Sequence, residues 1–233
     1  MKLLYKIFDV LEYVILKNGT PVTPSEVASA LNLNLVTVTR ILTELVDRGY
    51  LTHVSRKEGY SAGPMVVSIG TRRNVYERIA AAAREPIAAL SSRFHRQVNL
   101  AVLHREHRVM LCFRMGDAGA QPWERFFFPD MWCTATGRLL LASMEERAAV
   151  RMLKGVVAPL EARRELAAIR KEGFVRMEMD GEVVIGVSVE VPGYPVAAFG
   201  FGIDASREAD AMAAAREAAR DIRNALELPC RAY

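Results

Sequence analysis

Cysteine is scarce in this chain. Cys112, Cys133 and Cys230 are widely spaced and odd in number, which excludes a disulfide framework. No run of eighteen uncharged apolar residues occurs, so no segment reads as a membrane span. Residues 1–18 are apolar enough to resemble a signal peptide, but Asp9 and Glu12 interrupt the run and no small-x-small site follows. The expectation is a cytoplasmic protein without membrane contact. Histidine is also sparse. His104 and His107 share one turn without a third or fourth ligand at zinc spacing, and His53 and His95 have no carboxylate or cysteine close by in sequence. No metal site and no cofactor are expected. Gly200-Phe201-Gly202-Ile203-Asp204 lacks the third glycine of a nucleotide-binding fingerprint. Cys112 or Cys133 could serve as a nucleophile, but neither has a supporting signature, and a buried small hydrophobe is the plainer role.

What remains is an ordinary globular composition. The hydrophobic fraction of 51% and charged fraction of 25% exclude wholesale disorder, and 233 residues suffice for one or two domains. The excess of one charge sign is small but unevenly placed. Up to Arg73, nine Lys/Arg stand against six Asp/Glu, which accounts for three of the net +4. A basic first third on a nearly neutral remainder fits a nucleic-acid-binding head on a body with another task.

That first third has a readable order. Leu3, Ile7, Leu11, Val14 and Ile15 recur at helical spacing, and Gly19 and Pro21 end the helix. Thr23, Pro24 and Glu26 form a capping box for a second, short helix that stops near Asn32. Asn34 can cap a third helix that runs to Arg48, with Val38, Ile41, Leu42 and Leu45 inward and Thr37, Thr39 and Arg40 outward. Two short strands follow, Tyr50–Val54 and Tyr60-Ser61, around a turn bearing Arg56 and Lys57. This is the order of a winged helix-turn-helix, in which the third helix enters the major groove. Asn34, Thr37, Thr39 and Arg40 are the candidate DNA-reading residues, and Arg56 and Lys57 the candidate phosphate contacts. A small helical domain with a solvated polar face, or a protein-binding winged helix, remains the alternative.

The run from Val27 to Leu51, with Leu33-Asn34-Leu35-Val36-Thr37-Val38-Thr39-Arg40 at its centre, resembles the reading head of IclR-type transcriptional regulators. Tyr60-Ser61-Ala62-Gly63-Pro64 resembles the end of the family's wing, and Asn32 stands where many members have glycine. Further on, Thr134-Ala135-Thr136-Gly137-Arg138-Leu139-Leu140-Leu141-Ala142 and Glu165–Phe174 are similar to two segments of the family's sensor domain. The resemblance implies residues 1–73 as a winged helix-turn-helix domain, 74–95 as a linker helix and 96–233 as a GAF-like effector-binding domain. It also implies an inverted-repeat DNA operator, a small-molecule effector, a homodimer or homotetramer, and no enzymatic activity.

Residue patterns fill in the rest. Pro64–Arg73 reads as a short helix with Met65, Val66 and Ile69 inward, and Val75–Phe94 as helix that Pro86 restarts or kinks. That stretch either packs on the body or links the two parts. Strands at 97–103, 108–114, 126–128, 174–179, 183–191 and 196–203 alternate in groups with helices at 136–144, 145–153 and 159–172, and a final helix capped by Ser206. Such grouping predicts an antiparallel sheet and the α+β class. Trp123 and the phenylalanines after it read as core or subunit interface.

A helix beginning near Thr136 offers backbone N–H groups to a carboxylate, with Thr134, Ala135 and Thr136 at its start, or else the threonines only cap it. Gly200 and Gly202 stand where the family often has serines, and Met177 and Met179 add adaptable apolar surface. The expectation is a roomy pocket for an aromatic or branched acid, unless the glycines merely relieve packing against a neighbouring helix. Met131, Cys133, Ser188 and Cys112 are further lining candidates, with ordinary core as their alternative. Two other readings stay open: a small-molecule enzyme or redox protein with a vestigial head, and a regulator whose pocket has collapsed.

Overall fold

The structure is a computed structural model that describes residues 3–70, 74–114, 126–179 and 181–228. Trp123, Cys230 and the end of the helix expected to reach Arg73 lie outside the described residues. Backbone contacts divide the chain into two compact units, the second beginning at Asn74. No described helix is long and apolar enough to cross a membrane.

The first unit contains α1 (Leu3–Leu16), α2 (Pro24–Ala30), α3 (Leu35–Asp47), the hairpin β1 (Leu51–Ser55) and β2 (Gly59–Ala62), and α4 (Pro64–Gly70). Local chemistry sets its boundaries. Thr23 Oγ1 accepts from Glu26 N at 3.3 Å to start α2, and Asn34 Oδ1 accepts from Val36 N at 2.9 Å to start α3. Between them Asn32 takes the left-handed conformation at φ 51°, which its short polar side chain tolerates better than most. The apolar stripes then close a small core of Val10, Val14, Val22, Val27, Val38, Ile41, Leu42, Leu45 and Leu51. The expectation that α4 turns Met65 and Ile69 inward is not met, since they are 39% and 51% exposed. This helix is held at its start instead, where Met65 N donates to Gly49 O at 3.0 Å.

The second unit opens with α5 (Val75–Phe94), capped by Asn74, whose side chain accepts from Tyr76 N and Glu77 N. Among the described residues a six-stranded antiparallel sheet follows, in the order β5-β4-β3-β8-β7-β6. Its strands are β3 (Val98–His104), β4 (His107–Arg114), β5 (Phe127–Phe128), β6 (Phe174–Met179), β7 (Glu182–Val189) and β8 (Ala197–Ile203). One face carries α5 and the last helix, α9 (Glu208–Glu227), over Leu100, Ile185, Phe199, Phe201 and Ile203. Ala211, Ala214, Ala215, Ala218 and Ala219 form the buried stripe of α9, and small side chains permit close approach to its neighbours. The other face receives α6 (Ala135–Ala142), which also packs against α8 (Pro159–Glu172); α7 (Glu146–Met152) lies against α8. This is the α+β arrangement that the grouping of strands and helices predicts.

Three local expectations shift. The fifth helix runs unbroken through Pro86, because Ile79, Ala83, Ile87, Leu90 and Phe94 all lie in the core and packing outweighs the lost hydrogen bond. Ser206 does not cap α9; it lies inside a 3₁₀ turn, Ala205–Arg207, that precedes the helix. Helix α6 begins at Ala135 rather than Thr136, with Thr134 as its N-cap.

Candidate functional site

In the first unit the candidate contacts are exposed, except for the half-buried Thr37, and come from adjacent segments. Thr37 and Arg40 lie on one stripe of α3 with Glu44 and Arg48, a spacing that keeps them on one helical face. With Leu3, Phe8 and Leu11 of α1, this stripe borders a groove of about 750 Å³. Thr39 points elsewhere. Its Oγ1 donates to Leu35 O at 2.9 Å, so its hydroxyl is spent on its own helix. Asn34 is likewise occupied in capping α3, although its side chain is exposed. Arg56 and Lys57 are exposed at the hairpin turn. There Ser55 Oγ donates to Glu58 Oε2 at 2.9 Å and accepts from Glu58 N at 3.1 Å, which fixes the turn between them.

Two residues escape the sequence reading. Leu35 and Val36 open α3 at 48% and 76% exposure, outside the core of the unit. The signal was available for Val36, which falls outside the Val38-Ile41-Leu42-Leu45 periodicity; Leu35, three residues before Val38 and seven before Leu42, is in phase with it, and its exposure is not legible in the sequence. On α1, Glu12 is half-buried, and that burial, with Asp9 beside it, holds its carboxyl above the ordinary range.

In the second unit the site gathers around the first turn of α6. Thr134 Oγ1 accepts from Gly137 N at 3.2 Å. The segment before the helix is drawn under that turn: a Cβ on Gly137 would stand 2.1 Å from Met131 O, so only glycine fits. Arg138 ties the same segment down by donating from Nε to Trp132 O at 2.7 Å, and it pairs with Glu165 of α8. Met131 is buried beneath the turn, whereas Cys133 is exposed.

The helix sits on a gap in the sheet. Gly186 and Gly200 are cross-strand partners on β7 and β8. A Cβ on Gly186 would come within 2.9 Å of Ala135 Cβ and Leu139 Cδ1, and one on Gly200 within 2.8 Å of Ile185 O and 3.4 Å of Thr136 Cγ2. The space at Gly200 is therefore filled by α6, which is the packing alternative weighed for these glycines. At Gly202, a Cβ would meet Glu182 Oε2 at 2.6 Å, and Glu182 is paired with Arg96 at 3.1 Å.

Not all candidates meet. Thr134, Ala135, Thr136, Met131 and Gly200 come together at the helix start. Met177 and Met179 lie on β6, opposite Val184 and Glu182, with Met179 42% exposed. Ser188 is at the far end of α6. There its hydroxyl donates to Gly173 O at 3.4 Å, and it lines a cavity of about 270 Å³ with Ser143, Met144, Arg170 and Glu190.

Sequence reasoning misses one group at the helix start altogether. Arg108 of β4, with its side chain 8% exposed, donates to Thr136 Oγ1 at 3.0 Å and to Asp130 Oδ1 at 2.9 Å. Nothing local marks it, because it reads as one more charged residue at the edge of a hairpin. The same hairpin carries His104 and His107, whose rings meet the edge of Phe127.

Residues 4–55 match the IclR helix-turn-helix domain model. Over nearly its whole length the chain is similar to many solved structures, among them the following three. An IclR homolog from Microbacterium hydrocarbonoxydans complexed with 4-hydroxybenzoate has 21% identity and a TM-score of 0.76, covering 97% of this chain and 99% of that one. The Thermotoga maritima IclR has 22% identity and a TM-score of 0.66, with 97% and 98% covered. Pseudomonas aeruginosa HmgR has 18% identity and a TM-score of 0.70, with 93% and 95% covered. Comparison with curated protein sequences finds no match. Residues 4–55 are an IclR helix-turn-helix domain, and the chain as a whole has the fold of the IclR-type transcriptional regulators.

Proposed function

We propose that this protein is a ligand-responsive, DNA-binding transcriptional regulator. Its head reads an inverted-repeat operator as part of a homodimer or a dimer of dimers. Its body senses a small organic or aromatic acid and so controls catabolic genes. The observation that carries the reading is the outward stripe of Thr37 and Arg40 on α3, beside a turn that exposes Arg56 and Lys57, within a domain of IclR type. Two-fold related heads of this kind require half-sites about one helical turn apart. For the body, support comes from the donor-rich start of α6 and from the 4-hydroxybenzoate held by the Microbacterium relative.

A mobility-shift assay against fragments of the source genome tests the head. Retention of particular fragments by the intact protein, relieved by a metabolite, is expected; retention of none ends the reading. The wing is tested by salt. Lys57→Ala and Arg56→Ala are each expected to weaken operator and random DNA about equally and to lower the salt slope by about one. A change of base preference at one position would instead make the wing a reader of sequence.

A further inference from the structure

The guanidinium of Arg108 is bonded in a way its environment does not explain. Nη2 holds Asp130, Nη1 holds Thr136 and lies 3.9 Å from Met110 Sδ, and the group stacks 5.0 Å from the centre of the Phe128 ring. Among the described residues Nε is buried and has no hydrogen-bond partner. A buried cation normally has every donor met, because leaving one unmade forfeits hydration without replacement.

The charge is also placed against the local field. Through Thr136, Arg108 abuts the first turn of α6, the positive end of that helix dipole. Helix geometry leaves the N–H groups of Ala135 and Thr136 without intrahelical acceptors at the same end. A strand guanidinium and a helix start thus meet at Thr136. The carboxylate that answers them, Asp130, is 42% exposed and lies on the segment leading into α6. A buried guanidinium with an unmet donor beside a helix start is the chemistry that binds a carboxylate.

We propose that Arg108 is the anchor for the carboxylate of the effector, and that Asp130 occupies this guanidinium when no effector is bound. The incoming carboxylate takes Nε and displaces Asp130 from Nη2, and Asp130 turns into solvent, for which its partial exposure prepares it. The ligand class is therefore an acid with a free carboxylate, and its neutral amide is excluded. This rests on the reading of the body as an effector domain.

The test uses the full chain without DNA. Benzoate, 4-hydroxybenzoate, phenylacetate and pyruvate, each beside its primary amide, are screened by thermal shift, and any acid that binds is titrated by calorimetry. At least one acid is expected to raise the melting temperature while its amide does not. Arg108→Gln should weaken that acid at least tenfold, and Asp130→Asn should tighten it severalfold by removing the internal competitor. A merely structural Arg108–Asp130 pair would give the opposite sign for Asp130→Asn, so that variant decides even if Arg108→Gln fails to fold. The proposal is overturned if no acid binds, if amides bind as well as acids, if Arg108→Gln binds the acid normally, or if Asp130→Asn weakens it. Failure of the regulator reading looks different. A neutral metabolite that releases the protein from DNA would keep the regulator and end this proposal, whereas acid binding without specific DNA retention would do the reverse.

Discussion

The two units present their chemistry in opposite ways. In the head, the groups offered to a partner are exposed or, at Thr37, half-buried, lie on one helix and one turn, and fall within the twenty-four residues from Asn34 to Lys57. In the body, the corresponding groups are mostly buried and come from β4, the segment before α6, α6 itself and β8. An exposed side chain contributes little to folding and is free to be used on a ligand, so the head's surface and its core are separable. In the body, Thr136 packs against Gly200 while bonding Arg108, so stability and recognition share the same atoms. Mutations should therefore divide more cleanly in the head, Asn34 apart, than in the body.

The largest effect is expected in the body's core. Phe199 is fully buried between the sheet and its helices, and Phe199→Ala should cost about 3–5 kcal/mol in urea unfolding. A cost below about 1 kcal/mol would mean that this face of the sheet is not packed as described. Next comes the seat of α6. Gly200→Ala should destabilise the body by about 1–3 kcal/mol, since its methyl group meets a backbone carbonyl that cannot move alone. It should weaken ligands of every size together; selective loss of the larger ones would show Gly200 to be open pocket floor rather than helix seat.

At Arg40 in the head the same order of energy should appear in binding and not in folding. Arg40→Ala should lose about 1–3 kcal/mol of specific DNA affinity if Arg40 grips a base with two bonds, with the melting temperature unchanged because the side chain is exposed. A fall in melting temperature would break the separation of surface from core. Asn34→Ala should cost about 1 kcal/mol of head stability through the lost cap, with any DNA effect secondary to it. Equal stability with weakened binding would reassign Asn34 from cap to contact.

The smallest effect concerns charge. Glu12 holds its proton more tightly folded than unfolded, because burial first and Asp9 second disfavour its ionised form. The penalty is therefore full above its folded pKa and absent below its ordinary value near 4.5. Glu12→Gln should stabilise the head by about 0.5 kcal/mol or less at neutral pH, with no gain once the solution is more acidic than that ordinary value. A gain that persisted in acid would place the cause in packing instead of charge.

Much of the head was legible because its determinants are local. The capping box at Thr23, the cap at Asn34 and the apolar stripe of α3 each act within one or two turns, so a linear reading finds them. Thr39 shows the limit, since its outward position is readable but the back-bond to Leu35 O is not. In the body, strand alternation and grouping predict the antiparallel sheet, and Thr134-Ala135-Thr136 marks the helix start.

The sequence by itself determined the element order, the α+β class, the position of α3 and the basic turn of the hairpin after it, because periodicity, caps and turn residues act over a few bonds. Only the tertiary structure decided what stands opposite what. It set Gly200 beneath Thr136, sent Ser188 to the far end of α6 and brought Arg108 to Thr136 across 28 residues of chain. Such pairings depend on strand register and on how closely a helix lies on a sheet. Both are settled by the packing of whole faces, and no short stretch of sequence carries that information.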